Sequence, residues 1–211
     1  MVVNRLPGYP GSYVAANGAA TGALLAAARV SRLSSEDLGL APRRLPAGLK
    51  CGGACFAVVA CAYAVALAVP GLRSLLTDAR VADLDGREVA YQVLVRIPLG
   101  TVLWEEVAFR GVLLAALTRL VSVRAATATS ATVFGIWHVR PTLSALAAND
   151  FSGAPLLRAL AVLLACLSTG VAGVLFAWLR LRSGSLLAPA LLHLATNALG
   201  TLAAAVAHRL G

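Results

Sequence analysis

Long apolar runs alternate along the chain with short stretches carrying Arg, Asp, Pro and Gly. Each run is close to the roughly 20 residues a helix needs to cross a bilayer. Six such runs are read, at 13–30, 52–70, 89–118, 125–140, 157–179 and 186–207. The third exceeds one crossing and contains Pro98 and Gly100, so it is expected to be kinked, tilted or split. The fourth is short and rich in Thr and Ala, the weakest of the patterns. Gly18 and Gly22 on the first run have the spacing that lets membrane helices approach closely. The pattern predicts an all-α polytopic membrane protein, a bundle of six to seven transmembrane helices around an intramembrane polar site. Residues 1–211 form one integral membrane domain, with the motif-bearing core at about 89–207.

Composition sharpens this reading. Apolar residues make up 59% of the chain and charged residues 13%, against roughly 25% charged in soluble domains, so lipid is the expected solvent. The net charge of +9 could suggest nucleic acid, but the basic residues fall at the ends of runs and form no single soluble patch, so no nucleic-acid partner is expected. Loop 31–50 sets Arg32, Arg43, Arg44 and Lys50 against Glu36 and Asp37, whereas 71–88 sets Arg73, Arg80 and Arg87 against Asp78, Asp83, Asp85 and Glu88. The positive-inside rule places loop 31–50 in the cytoplasm, and six crossings bring Arg119, Arg124, Arg180 and Arg182 to that same side. The expected location is a cell membrane, multi-pass, with the Ala- and Arg-rich composition pointing to a bacterial inner membrane. Cys51, Cys55, Cys61 and Cys166 show no CxxC pair and read as small packing residues.

Against this background the stretch TVLWEEVAFRGVLL is anomalous, because it sets Glu105, Glu106 and Arg110 inside a run of Leu, Val, Ala and Gly. A charge at mid-bilayer costs on the order of 3 kcal/mol by insertion scales and persists only when paired or facing a wet cavity. On a helix Glu106 and Arg110 stack at i and i+4 and can neutralise each other, which leaves Glu105 over. An ion-pair knot that fixes helix packing, or a surface loop, would also account for the three. Two further intramembrane histidines weigh against these readings: His138 in FGIWHV, and His193 with Asn197 in HLATN. Glu105 lies 14 residues before Arg119, His138 lies 14 after Arg124, and His193 lies 11 after Arg182. At about 1.5 Å per residue all three occupy one layer, roughly 16–21 Å from the basic edge.

A carboxylate, an imidazole and two further donors are what peptide hydrolysis requires. In this reading Glu105 and His138 activate a water. His193 and Asn197, one turn apart on one face, stabilise the tetrahedral oxyanion. The Glu106–Arg110 pair holds the helix, and Phe134 packs above His138 and limits its rotation. No serine or cysteine nucleophile is implied.

The order EExxxR, FxxxH, HxxxN, here Glu105 to Arg110, Phe134 to His138 and His193 to Asn197, resembles the CPBP family of intramembrane endopeptidases. That family includes the CAAX prenyl proteases and the Abi, or bacteriocin-immunity, proteins. The FRG after the double glutamate and the approach LRLRSGSLLAPALLHLATN support the match, which covers residues 101 to about 200. The resemblance implies a glutamate-dependent protease in which Glu105 acts with His138 on water while His193 and Asn197 form the oxyanion site. The expected substrate is a membrane-associated peptide or protein, and no cofactor or metal is expected. A zinc hydrolase is the nearest rival, since Glu and two His are acceptable zinc ligands. A non-catalytic immunity or regulatory protein, binding a partner through the same pocket, is the alternative from another class.

Overall fold

Each of the six apolar runs is helical in the computed structural model, which describes residues 10–151 and 153–210. No strand occurs among the described residues. Helix α1 is Tyr13–Val30 and α2 is Leu45–Ala68, entered through a 3-10 turn at Pro42–Arg44. After short turns at Pro70–Arg73, Ser74–Leu76 and Ala79–Ala82, α3 runs through 86–118. It is followed by α4 (Val123–Trp137), α5 (Val139–Ala148), α6 (Pro155–Ser183) and α7 (Leu187–Leu210).

The ends follow local chemistry. Asp85 and Glu88 form a capping box at the start of α3, and the Ser122 hydroxyl accepts from the Ala125 N–H at the start of α4. Pro155 opens α6, where its missing N–H costs nothing, and Gly184 closes it at φ 69°, a left-handed conformation that favours glycine.

Three helices among the described residues are long and apolar enough to cross a membrane: Pro42–Ala68, Pro155–Ser183 and Leu187–Leu210. The others fall short of the expected six to seven for identifiable reasons. Helix α1 has 18 residues and carries Asn17, Thr21 and Arg29; α4 has 15. Helix α3 is long enough but holds Arg87, Glu88, Arg96, Glu105, Glu106 and Arg110.

The kink or split expected in the third run takes another form. The chain stays helical through Pro98 and Gly100 but widens into π-helical turns at Gln92–Val102 and again at Glu106–Leu113. The Leu103 N–H donates to the Pro98 carbonyl five residues back. Helix α1 braces this segment: buried Asn17 donates from Nδ2 to the Gly100 carbonyl at 2.7 Å, and the Tyr13 hydroxyl lies 3.1 Å from Thr101 Oγ1. Such widened turns are often associated with functional sites.

Close approach does not use the glycines expected to provide it. A methyl group on Gly18 or Gly22 would meet nothing within 4 Å. Helix α4 instead packs on α6 at Gly135, where a methyl would sit 2.7 Å from the Cys166 carbonyl oxygen, and α2 packs on α7 at Gly52, 2.8 Å from the Ala188 carbonyl oxygen.

Two polar knots mark the ends of the bundle. At one, Arg119 donates to the carbonyls of Ser31 and Arg32, and Arg180 donates to those of Glu36 and Asp37. The ends of α3 and α6 therefore lie beside loop 31–41. At the other, the Ala79 N–H donates to Asn149 Oδ1 at 3.0 Å, and His208 Nε2 lies 3.0 Å from the Asp78 carbonyl oxygen.

Replacing Gly135 by Ala is expected to cost about 1–3 kcal/mol, because backbone and not a flexible side chain must yield. Gly18→Ala should be neutral or slightly stabilising. Thermal unfolding in detergent measures both, and equal midpoints for the two variants would contradict the packing described.

Candidate active site

The polar layer forms where α3, α4 and α7 meet. Glu105, Glu106, Arg110 and His193 are 2%, 1%, 1% and 3% exposed, so every charge among them must be met inside the protein. Arg110 donates from Nη1 to Glu106 Oε1 at 3.1 Å. Its guanidinium also lies over aromatic faces, with Cζ 3.8 Å from the Phe134 ring centre and 4.7 Å from that of Phe176. The same Glu106 oxygen accepts from His193 Nδ1 at 2.8 Å. The expected pair of Glu106 and Arg110 is thus a chain of three groups, Arg110 to Glu106 to His193.

That chain orients the second imidazole. With Nδ1 committed to Glu106, His193 turns Nε2 toward Glu105, 3.7 Å from Oε2. His138 approaches the same oxygen, its Nε2 at 3.9 Å. Helix α4 ends at Trp137, and His138 is the junction with α5. There its Nδ1 lies 2.8 Å from the Phe134 carbonyl. A carbonyl can only accept, so Nδ1 carries the hydrogen and the neutral ring presents the Nε2 lone pair. Neither Nε2 is within direct hydrogen-bond reach of Glu105. Glu105 Oε2 has no hydrogen-bond partner in the protein, whereas Oε1 accepts from Trp137 Nε1 at 3.1 Å.

Glu105, His138 and Asn197 line the inner part of a cavity of about 1020 Å³, which continues past Thr101 and Arg140 to Asp78 in the turn segment between α2 and α3. Asn197 is half-buried and lies in a π-helical stretch, Ala195–Leu199, one turn beyond His193. His193 meets the cavity through Glu105.

The structure therefore brings Glu105, His138 and His193 together around one carboxylate oxygen, and Asn197 lines the same cavity as Glu105 and His138. Phe134 packs edge-on to His138, ring centres 4.5 Å apart, and also covers Arg110. Sequence reasoning missed Trp137, Phe109 and Phe176. Trp137 was detectable in principle, because a buried indole N–H needs an acceptor and its neighbour His138 already faced the site. No set of three or more His, Cys, Asp or Glu side chains among the described residues is arranged to hold a metal ion. Glu105, His138 and His193 are the side chains on which a zinc reading depends.

Three membrane-length helices and a cluster of buried titratable groups define a membrane protein with charges held inside its helical bundle. Residues 88–199 match the family described as type II CAAX prenyl endopeptidase Rce1-like, and the chain belongs to that family. The matched segment is over half the chain and holds all the site residues named above, while α1 and α2 lie outside it. No curated protein and no solved structure matches the chain. The family is one of membrane proteases, which makes the chain a peptide hydrolase by family.

At the outer end of the cavity, hydrogen bonds from the Arg80 side chain lower the Asp78 carboxyl from 3.8 to about 2, with burial opposing and the Arg80 backbone and Asn149 assisting. A depressed folded value stabilises above the unfolded one, so this contribution is complete at neutral pH and is lost as pH falls from 3.8 toward about 2. Protection of the 77–81 amides, taken relative to their intrinsic exchange at each pH, should fall over that window, and Asp78→Asn should show the lower protection already at neutral pH. Protection that stays constant through the window would contradict the assignment. In the core, Arg110→Leu is expected to destabilise by about 3–5 kcal/mol by stranding Glu106. The double variant Arg110→Leu, Glu106→Gln should recover part of that loss in the same thermal assay. Additive losses would show that the two charges do not depend on each other.

Proposed function

We propose that the protein is an intramembrane endopeptidase in which Glu105 and His138 activate water against a peptide bond of a membrane-associated peptide or protein. One observation carries this reading: at the inner end of a large cavity, a buried carboxylate oxygen faces two imidazole Nε2 atoms at 3.7 and 3.9 Å. Six passes accommodate the chain, with α4 and α5 together making one crossing interrupted at His138.

The chemistry follows from who can accept and who can donate. A water held by Glu105 Oε2 and the His138 Nε2 lone pair loses a proton to the carboxylate as its oxygen attacks the scissile carbonyl. The protonated Glu105 then returns that proton to the departing amine, completing hydrolysis without a covalent enzyme intermediate. General base assistance of this kind is worth about 10² to 10⁴ in rate. The oxyanion is met by the Asn197 amide and by His193 Nε2. His193 can donate there only when doubly protonated, with one N–H on Glu106 and the other on the oxyanion. This is how the Arg110 to Glu106 to His193 chain would take part in catalysis while also supporting the fold. Exclusion of bulk water strengthens each of these interactions.

The test uses purified protein in detergent micelles with internally quenched peptides, a farnesylated CAAX peptide among them. Glu105→Gln and His138→Ala should abolish cleavage. Asn197→Ala should lower kcat by about 10² to 10³. Activity should survive 1,10-phenanthroline and EDTA. Loss of cleavage on chelation, restored by zinc, would replace this mechanism with the metal-dependent one, and full activity of Glu105→Gln would remove the glutamate from the chemistry altogether.

A further inference from the structure

The geometry points to Trp137 as the positioning residue that selects which oxygen of Glu105 performs the chemistry. This inference rests on the role proposed for Glu105. A glutamate side chain ends in two equivalent oxygens on a torsion that is broad and roughly two-fold, so burial alone does not decide which oxygen faces the imidazoles. Here the two are distinguished. Oε1 accepts from Trp137 Nε1 at 3.1 Å, and Oε2 faces His193 and His138 at 3.7 and 3.9 Å.

The indole is itself held in place. Its ring centre lies 5.9 Å from that of Phe109, edge-on, and 6.3 Å from that of Trp104. Phe109 packs in turn on Phe134 at 5.0 Å. The Phe109 carbonyl also accepts from the buried Ser130 hydroxyl at 2.9 Å, joining α3 to α4 just below the site. Trp137 and His138 are consecutive residues at the point where α4 stops, and that break lets neighbours in sequence address the two oxygens of one carboxylate. In an uninterrupted helix adjacent side chains diverge by about 100 degrees. Trp137 touches the non-reacting oxygen only, so it positions the base and takes no proton.

A charge-assisted N–H to carboxylate bond is stronger than a neutral one, and its loss frees the carboxylate to rotate away from the water. Three readings test this. Trp137→Phe keeps an aromatic ring but no donor, and should lower kcat about tenfold or more with KM changed less than about twofold, the pattern of an interaction that matters in the transition state. Replacing Trp137 by 3-benzothienylalanine, which puts sulfur where the N–H was and conserves the packing, should reproduce the loss, whereas 5-fluorotryptophan, which keeps the N–H, should not. In proton NMR the Trp137 indole N–H, assigned by its absence in Trp137→Phe, should lie downfield in the wild type and move upfield in Glu105→Gln. Unchanged kcat in the sulfur isostere, or an indole resonance indifferent to Glu105→Gln, would overturn the assignment. The outcomes separate cleanly. If Glu105→Gln is inactive and the isostere fully active, only this inference fails. If Glu105→Gln is itself active, the proposed function fails with it.

Discussion

The structure turns on one buried cation. Arg110 is a guanidinium enclosed by Phe134, Phe176 and Phe109 and reached by the carboxylate of Glu106. Moving such a charge out of water carries a penalty of several kcal/mol even after relaxation, so its partners are constrained far more tightly than packing alone would require. Glu106 must be present beside it, and the aromatic faces must close around the cation. These requirements tie together α3, which carries both charges, α4, which supplies Phe134, α6, which supplies Phe176, and α7, which supplies His193 on the shared oxygen. Glu105 is adjacent to Glu106 in sequence and inherits this rigidity. The outcome is a carboxylate held in a fixed position against two imidazoles while one of its oxygens makes no bond to the protein.

The backbone is adapted to the same end. Regular α-helix through 92–113 would not accommodate Pro98 without breaking its own ladder. Widened turns, braced from α1 by Asn17 and Tyr13, carry the chain past the proline and into the double glutamate. On the facing side, the end of α4 at Trp137 frees His138 to bond back to the Phe134 carbonyl and aim its other nitrogen inward. The site therefore sits where the helices are irregular, at the π-helical turns and at the break at His138.

Much of this was legible in the sequence, and what was not has physical reasons. The helical runs could be read because apolar length and charged punctuation are direct consequences of the solvent. That Glu105, His138 and His193 could share one layer was legible because helical rise converts residue counts into distance, and the three side chains do meet. Two kinds of fact were hidden. Pattern alone does not reveal how many partners one oxygen can take, so Glu106 and Arg110 read as a closed pair when His193 also shares it. Nor does it reveal which glycines face another helix: Gly18 and Gly22 had the right spacing but face open space, while Gly135 and Gly52 make the close approaches. The π-helical turn at Gln92–Val102, likewise, is braced by Asn17 and Tyr13 of α1, far away in the chain, which local sequence does not encode.

If the Glu105 carboxylate acts in cleavage of peptides in the surrounding membrane, as proposed, the products released there carry the proof. Peptides shed from membranes of cells expressing the wild-type chain would be catalogued by mass spectrometry beside those from cells expressing Glu105→Gln at equal abundance. At least one membrane-derived peptide, with a single defined new terminus, should be present with the wild type and missing with the variant. Identical peptide sets from the two, with a deletion phenotype that Glu105→Gln still restores, would contradict the proposal and leave the cavity as a binding site.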